Sequence, residues 1–202
     1  MRRAHLVVAL ALCAAPTAVW GQPRDANAIA REVAARHLDE ADRALRASRP
    51  LDAEEHFRRA LEADPGLLPA ALGWATALDH RGHRDEAVQV LRSLPPRAVT
   101  EPDDAVALAT GYRSLRRPDL ALDLLHGREA EPEALRAIVE VASEAGRFPE
   151  ALAAARRLFS SGVGDPRRAR TLVRALERLV AEADAVTSPV APSSLRRALR
   201  ER

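Results

Sequence analysis

The residues of this 202-residue chain best able to do chemistry are its six histidines and its paired acids. His80 and His83 stand three apart in DHRGHRDE beside Asp79 and Asp85. Two imidazoles with neighbouring carboxylates are donors for a divalent metal, provided one continuous helix brings both rings to the same face. Gly82 falls between them at a turn signal, so the rings are expected to diverge and no metal site is assigned. His37, His56 and His126 are isolated in the sequence and read as surface or partly buried side chains rather than catalytic groups. Glu54-Glu55 and Asp103-Asp104 fall at expected helix starts, where acids complement the helix dipole, and nothing around them points to general acid–base work. Gly-rich phosphate loops, nucleophile elbows and HExxH are absent from the sequence. The expectation is a protein that is not an enzyme, with no catalytic residue, cofactor or metal. Its function then lies in a surface, and the elements that build that surface have to be found.

Composition narrows those elements. The chain is 47% hydrophobic and 30% charged, a globular balance, and only 3% aromatic. Much of its apolar share is Ala and Leu, and β-branched runs are scarce, which points to an all-α protein. All 31 basic residues are Arg, a pattern more in keeping with a GC-rich genome than with selected chemistry.

The first residues, MRRAHLVVALALCAAPTAVWGQP, combine Arg2 and Arg3 with an apolar stretch from Leu6 to about Trp20 and a small residue at Gly21. These are the parts of a secretory signal, with cleavage expected after Gly21 and a secreted or periplasmic location. The apolar run is short for a membrane span and is interrupted by Pro16 and Thr17. A buried N-terminal helix or an uncleaved anchor is the alternative, and lipidation at Cys13 is another, against which bulky Leu12 speaks. Loss of residues 1–21 removes the only Cys, leaving packing to stabilise the mature chain. It also leaves 29 Arg against 29 acids. That neutral balance, without interleaved aromatics, disfavours nucleic acid as a partner. The remaining charge is uneven: residues 22–165 hold twenty Arg and twenty-five acids, residues 166–202 nine Arg and four acids.

A repeat organises the interior. Ala53, Ala87, Ala121 and Ala151 each follow a turn signal and open a helix, at gaps of 34, 34 and 30 residues. Four residues on, along the same helix face, come Phe57, Leu91, Leu125 and Ala155. The preceding segments carry a second small column, Ala41, Ala75, Ala109 and Val139, followed three residues later by Ala44, Leu78, Tyr112 and Ala142. Turn signals separate the two columns: Ser48-Arg49-Pro50, Arg81-Gly82-His83, Arg116-Arg117-Pro118 and Gly146-Arg147-Phe148-Pro149. Each unit is therefore helix, turn, helix, with small residues allowing close approach of the axes. One hairpin cannot bury its apolar face alone, so units must stack.

These residues resemble the tetratricopeptide repeat. The 34-residue period, the series Ala53, Phe57 and Ala60 in LDAEEHFRRALEADP and the closing Pro65 are similar to that family's pattern over about residues 34 to 160. Later units depart from it: Pro95-Pro96 cuts the second, His126-Gly127 ends the third early, and the fourth is offset by four residues. The expected architecture is an α-solenoid of about four such helical hairpins with a C-terminal capping helix. Its parts are a signal at 1–21, an N-terminal segment at 22–33, repeats at 34–165, the capping helix at 166–186 and a linker with a basic tail at 187–202. Asp165-Pro166 supplies the N-cap and first position of the capping helix, along which Leu172, Val173, Leu176, Leu179 and Val180 recur at helical spacing.

The resemblance implies a scaffold that receives a protein or peptide partner on a concave face built from the first helix of each unit. Alignment places Asp42, Arg46, Thr76, Asp79, Thr110, Arg113, Arg136, Glu140 and Glu144 on that face. The Lys/Asn set with which family members clamp a C-terminal carboxylate has no counterpart, since Lys is absent and the only Asn is Asn27. A basic or amphipathic segment, held by charge-assisted contacts that weaken with salt, fits better. Trp74 falls one residue before the small column and is expected to pack between repeats rather than serve as a ligand platform. The tail SSLRRALRER could form a short basic amphipathic helix, and contact with an anionic membrane surface is the alternative function.

Overall fold

The structure, a computed structural model, describes residues 26–187. Nine α-helices and one short 3-10 turn occur among the described residues, with no strand. They form four antiparallel hairpins in chain order: α1 (Ala26–Arg46) with α2 (Pro50–Ala63), α3 (Leu68–His80) with α4 (Arg84–Arg92), α5 (Pro102–Ser114) with α6 (Pro118–Leu125), and α7 (Pro132–Glu144) with α8 (Phe148–Ser160). The last helix, α9 (Pro166–Thr187), packs on α8. The fold is an all-α solenoid. The signal, the proline-rich linker and the basic tail expected at the two ends lie outside the described residues. No helix among those described is long and apolar enough to cross a membrane.

Local chemistry sets the helix bounds. Pro50, Pro102, Pro118, Pro132 and Pro166 open α2, α5, α6, α7 and α9, where a missing N–H is harmless and the fixed φ suits the first turn. On α5 the Glu101 amide donates to the Asp104 carboxylate at 3.2 Å, and Asp103 and Asp104 occupy the first turn as expected. Glu54 and Glu55 do not serve a helix start. They lie past the first turn of α2, where Glu54 accepts from Arg81 of the next hairpin and Glu55 accepts from Arg58 and Arg59. The Pro95-Pro96 break falls beyond the end of α4 and leads into the 3-10 turn Pro96–Ala98.

Each hairpin turns the same way. Ser48, Gly82, Arg116 and Gly146 all have positive φ, between 57° and 85°. The following amide, of Arg49, His83, Arg117 or Arg147, donates to the carbonyl of Ala44, Leu78, Tyr112 or Ala142 at 2.8 to 2.9 Å. This closing bond from six residues to one is a Schellman turn, which satisfies carbonyls that the helix end leaves free. Its spacing of 34, 34 and 30 residues repeats that of the Ala column, so backbone and side chains share one period.

The columns read from the sequence are interior. Ala53, Ala87, Ala121 and Ala151 are fully buried, and Ala41, Ala75, Ala109 and Val139 of the other column are buried too. Phe57, Leu91, Leu125 and Ala155 are buried as well, Phe57 beside Gly73 of the second hairpin and Leu91 beside Gly111 of the third. Burying one side chain the size of Phe57 or Leu91 contributes about 1.5–3 kcal/mol. The buried residues fall into two clusters: a small one of Ala41, Ala44, Ala53, Phe57, Ala60 and Ala70, and a large one running from Leu68 to Leu176. Trp74 is half-buried and packs against both, the inter-repeat role expected of it.

Candidate protein-binding face

Stacking brings α3, α5 and α7, the first helices of successive hairpins, into contact side by side. The residues expected on this face fall into two groups. Toward the N-terminal end, Asp42 is half-buried and Arg46 exposed on the last turns of α1. The Thr76 and Thr110 hydroxyls each donate to a carbonyl of their own helix, Leu72 and Val106, at 2.8 Å. Asp79 accepts from Arg84 at 2.8 Å, clipping the second hairpin to itself. The contacts of Thr76, Thr110 and Asp79 thus stay within their own hairpins.

Arg113, Arg136, Glu140 and Glu144 do come together. Arg136, Glu140 and Glu144 follow at i, i+4 and i+8 on α7, so they form one row along the helix. The Arg113 guanidinium reaches across from α5 and donates to Glu140 at 2.9 Å and Glu144 at 3.4 Å. Arg136 is held at 3.3 Å by Glu133 one turn before it. Together with Val139, Ser143, Leu158 of α8 and Leu172 of α9, these four line a groove of about 600 Å³. Its lining combines charges of both signs with the apolar side chains of Val139, Leu158 and Leu172. Arg113 and Glu144 also line a second groove, of about 470 Å³, with Ser114, Arg116, Pro118, Val141 and Ala145.

Sequence reasoning placed Leu172 on the capping helix and Val139 in the small column without giving either a surface role, and it passed over Ser143 and Leu158. The signal was the offset of the fourth hairpin, which puts Val139 where the other units have Ala. A larger side chain there gives the groove an apolar wall.

The histidines behave in three ways. His83 faces Glu86 at 2.8 Å while His80 is exposed, with Gly82 at φ +85° between them, so the two do not converge. His126 faces Glu150 of α8 at 2.8 Å. His37 and His56 are not isolated: their rings stack with centroids 5.7 Å apart, and Glu40 lies against both. Sequence separation hid this. In an antiparallel hairpin that sets Ala41 against Ala53, a residue four before the first meets one three after the second.

Four antiparallel hairpins with a common turn, three of them with their first helices in contact, define a helical repeat protein, an architecture that presents an extended face. Residues 44–110 match the family described as tetratricopeptide repeat, so this part of the chain carries tetratricopeptide repeats. The match spans from the end of α1 into α5, and α7 and α8 beyond it keep the same turn geometry. The solved structure titled "Crystal structure of MamA protein" is similar at 16% identity, covering 80% of this chain and 98% of that one, with a TM-score of 0.49. No curated protein matches the sequence.

Proposed function

We propose that this protein is an envelope scaffold that holds an amphipathic segment of a partner protein in the groove between α5, α7 and α9. Tetratricopeptide repeats serve in general as protein interaction scaffolds, which supports the class of function. The groove itself carries the choice of partner: Val139, Leu158 and Leu172 offer apolar contact, while Arg113, Arg136, Glu140 and Glu144 offer both signs of charge. A helix or extended segment with an apolar stripe and mixed flanking charges complements that arrangement, the apolar stripe giving affinity and the charges giving register. Placement in the envelope rests on the N-terminal pattern of Arg2, Arg3 and the apolar run that follows.

The test is crosslinking capture from envelope extract by wild-type protein and by Leu172→Glu, with partners identified by mass spectrometry. A charge on the groove wall should abolish capture of the specific partner while the helical circular dichroism is unchanged. Equal capture by both proteins would remove the groove from the reading. Recovery of the protein only from the cytoplasmic fraction would remove the envelope.

A further inference from the structure

His37 and Glu40 stand three apart on α1, and His56 faces them from α2. The Glu40 Oε2 atom lies 3.1 Å from His37 Nδ1 and 3.2 Å from His56 Nδ1, and the two Nδ1 atoms are 3.5 Å apart. These three donors form a nearly equilateral triangle. Around a tetrahedral zinc ion with ligand bonds near 2.0–2.1 Å, adjacent donor atoms are separated by about 3.3 Å. The triangle therefore already has the dimensions of one face of a coordination tetrahedron, without movement of either helix. Side-chain exposures of 22% for His37, 35% for Glu40 and 28% for His56 leave the site open to an ion from solvent, yet sheltered enough to hold its geometry.

We propose that His37, Glu40 and His56 bind one divalent transition-metal ion, zinc foremost, which staples α1 to α2. Two imidazoles and one carboxylate suit zinc, nickel or copper and are a poor match for calcium or magnesium, which take oxygen donors. Three protein donors leave the fourth tetrahedral position to water. In the metal-free form the same atoms face one another, His37 Nδ1 within hydrogen-bond reach of both the Glu40 carboxylate and His56 Nδ1. Binding replaces that contact when each ring carries its proton on Nε2 and turns the Nδ1 lone pair to the ion, so two neutral rings release no proton. The site lies in the first hairpin, on the two helices that with Ala70 of α3 enclose the small cluster of five alanines and Phe57, so a cross-link acts directly on that cluster. This inference stands apart from the groove at the other end of the molecule.

The experiment uses the untagged full chain titrated with ZnCl₂ by calorimetry, alongside His37→Gln, His56→Gln and, as a control away from the site, His83→Gln. Wild type and the control should each bind one zinc through this cluster. Either site variant should lose at least about tenfold in affinity. Saturating zinc should raise the melting temperature of wild type by about 5 °C and leave that of His56→Gln unmoved. Cobalt should give the visible absorption of a tetrahedral ion in wild type and not in the site variants, and MgCl₂ should do nothing. Zinc bound as tightly by both site variants as by wild type would overturn the assignment, as would absence of any zinc heat, thermal shift or cobalt spectrum in wild type.

Discussion

The ring of Phe57 on α2 occupies the space in which a side chain of Gly73 on α3 would stand: a Cβ at Gly73 would lie 2.5 Å from ring atom Cε1. Phe57 is only 1% exposed, so the ring has no free volume into which to retreat. In an exposed helix Gly to Ala is stabilising by about 1 kcal/mol, because Ala has the better helix propensity. Here overpacking reverses the sign. Gly73→Ala is expected to destabilise the protein by about 1–3 kcal/mol in urea unfolding. Shrinking the ring should relieve it, so the loss in Gly73→Ala with Phe57→Leu should be smaller than the sum of the two single losses. Strict additivity would mean that the two positions do not share the space described.

Ser48 and Arg116 hold at φ 57° the left-handed position that Gly82 and Gly146 fill without a Cβ. A side chain there is strained, and that strain outweighs the extra unfolded-state freedom that Gly brings. Ser48→Gly and Arg116→Gly are each expected to stabilise by about 0.5–1 kcal/mol, and Gly82→Ala to destabilise by about 1 kcal/mol. Thermal melts of the three variants check the signs. A destabilised Arg116→Gly would show that its side chain contributes more than its backbone costs.

Those four turn positions also show what the sequence could reveal. The period was legible because small residues recur where helices touch and turn residues recur where they end, and both follow from local chemistry. Helix starts were legible through proline. The common left-handed turn was not, since Ser48 and Arg116 carry no marker of positive φ and are recognisable only by register with Gly82 and Gly146. The groove was half legible: alignment placed Arg113, Arg136, Glu140 and Glu144 on the first helices, but not the apolar part of the lining, because Leu158 and Leu172 reach it from helices that pairwise spacing does not relate. The pairing of His37 with His56 needed the antiparallel register of α1 and α2, which was available from the Ala column and was not applied to the polar residues.

Acid should weaken the fold through its carboxylate clips. A hydrogen bond from Arg58 holds the Glu55 carboxyl below its ordinary value, with the Arg58 and Arg59 charges assisting, and a hydrogen bond from Arg117 does the same for Asp119. A carboxylate with a folded-state value below its unfolded one contributes stability that is complete above the ordinary range near 4 and is lost as pH falls through the lowered value. The urea midpoint is therefore expected to fall from about pH 5 downward, with slope from these residues among others. Both pairs are largely solvent-exposed, so screening keeps each contribution small. Glu55→Gln with Asp119→Asn should flatten the acid limb and make it less sensitive to salt. An unchanged limb would assign the acid dependence elsewhere.

Trp74 couples the first hairpin to the rest of the array. With Leu61 it packs against both the small cluster beneath α1 and α2 and the large cluster that continues to α9, and its buried indole Nε1 has no hydrogen-bond partner. It therefore acts through packing, and the orphaned donor offsets part of what its area contributes. In a repeat array stability is approximately a sum of unit and interface contributions, so loss of one interface should uncouple the units on either side. Trp74→Ala is expected to destabilise by about 3 kcal/mol, with amide exchange protection lost first in α1 and α2 while α7 and α8 keep theirs. Trp74→Phe should be much milder, because it keeps an aromatic ring in place and removes the unpaired N–H. Hydrogen exchange resolved by helix distinguishes this from a general weakening: a uniform loss of protection from α1 to α9 in Trp74→Ala would mean that the array unfolds as one unit and that the two clusters are a single core.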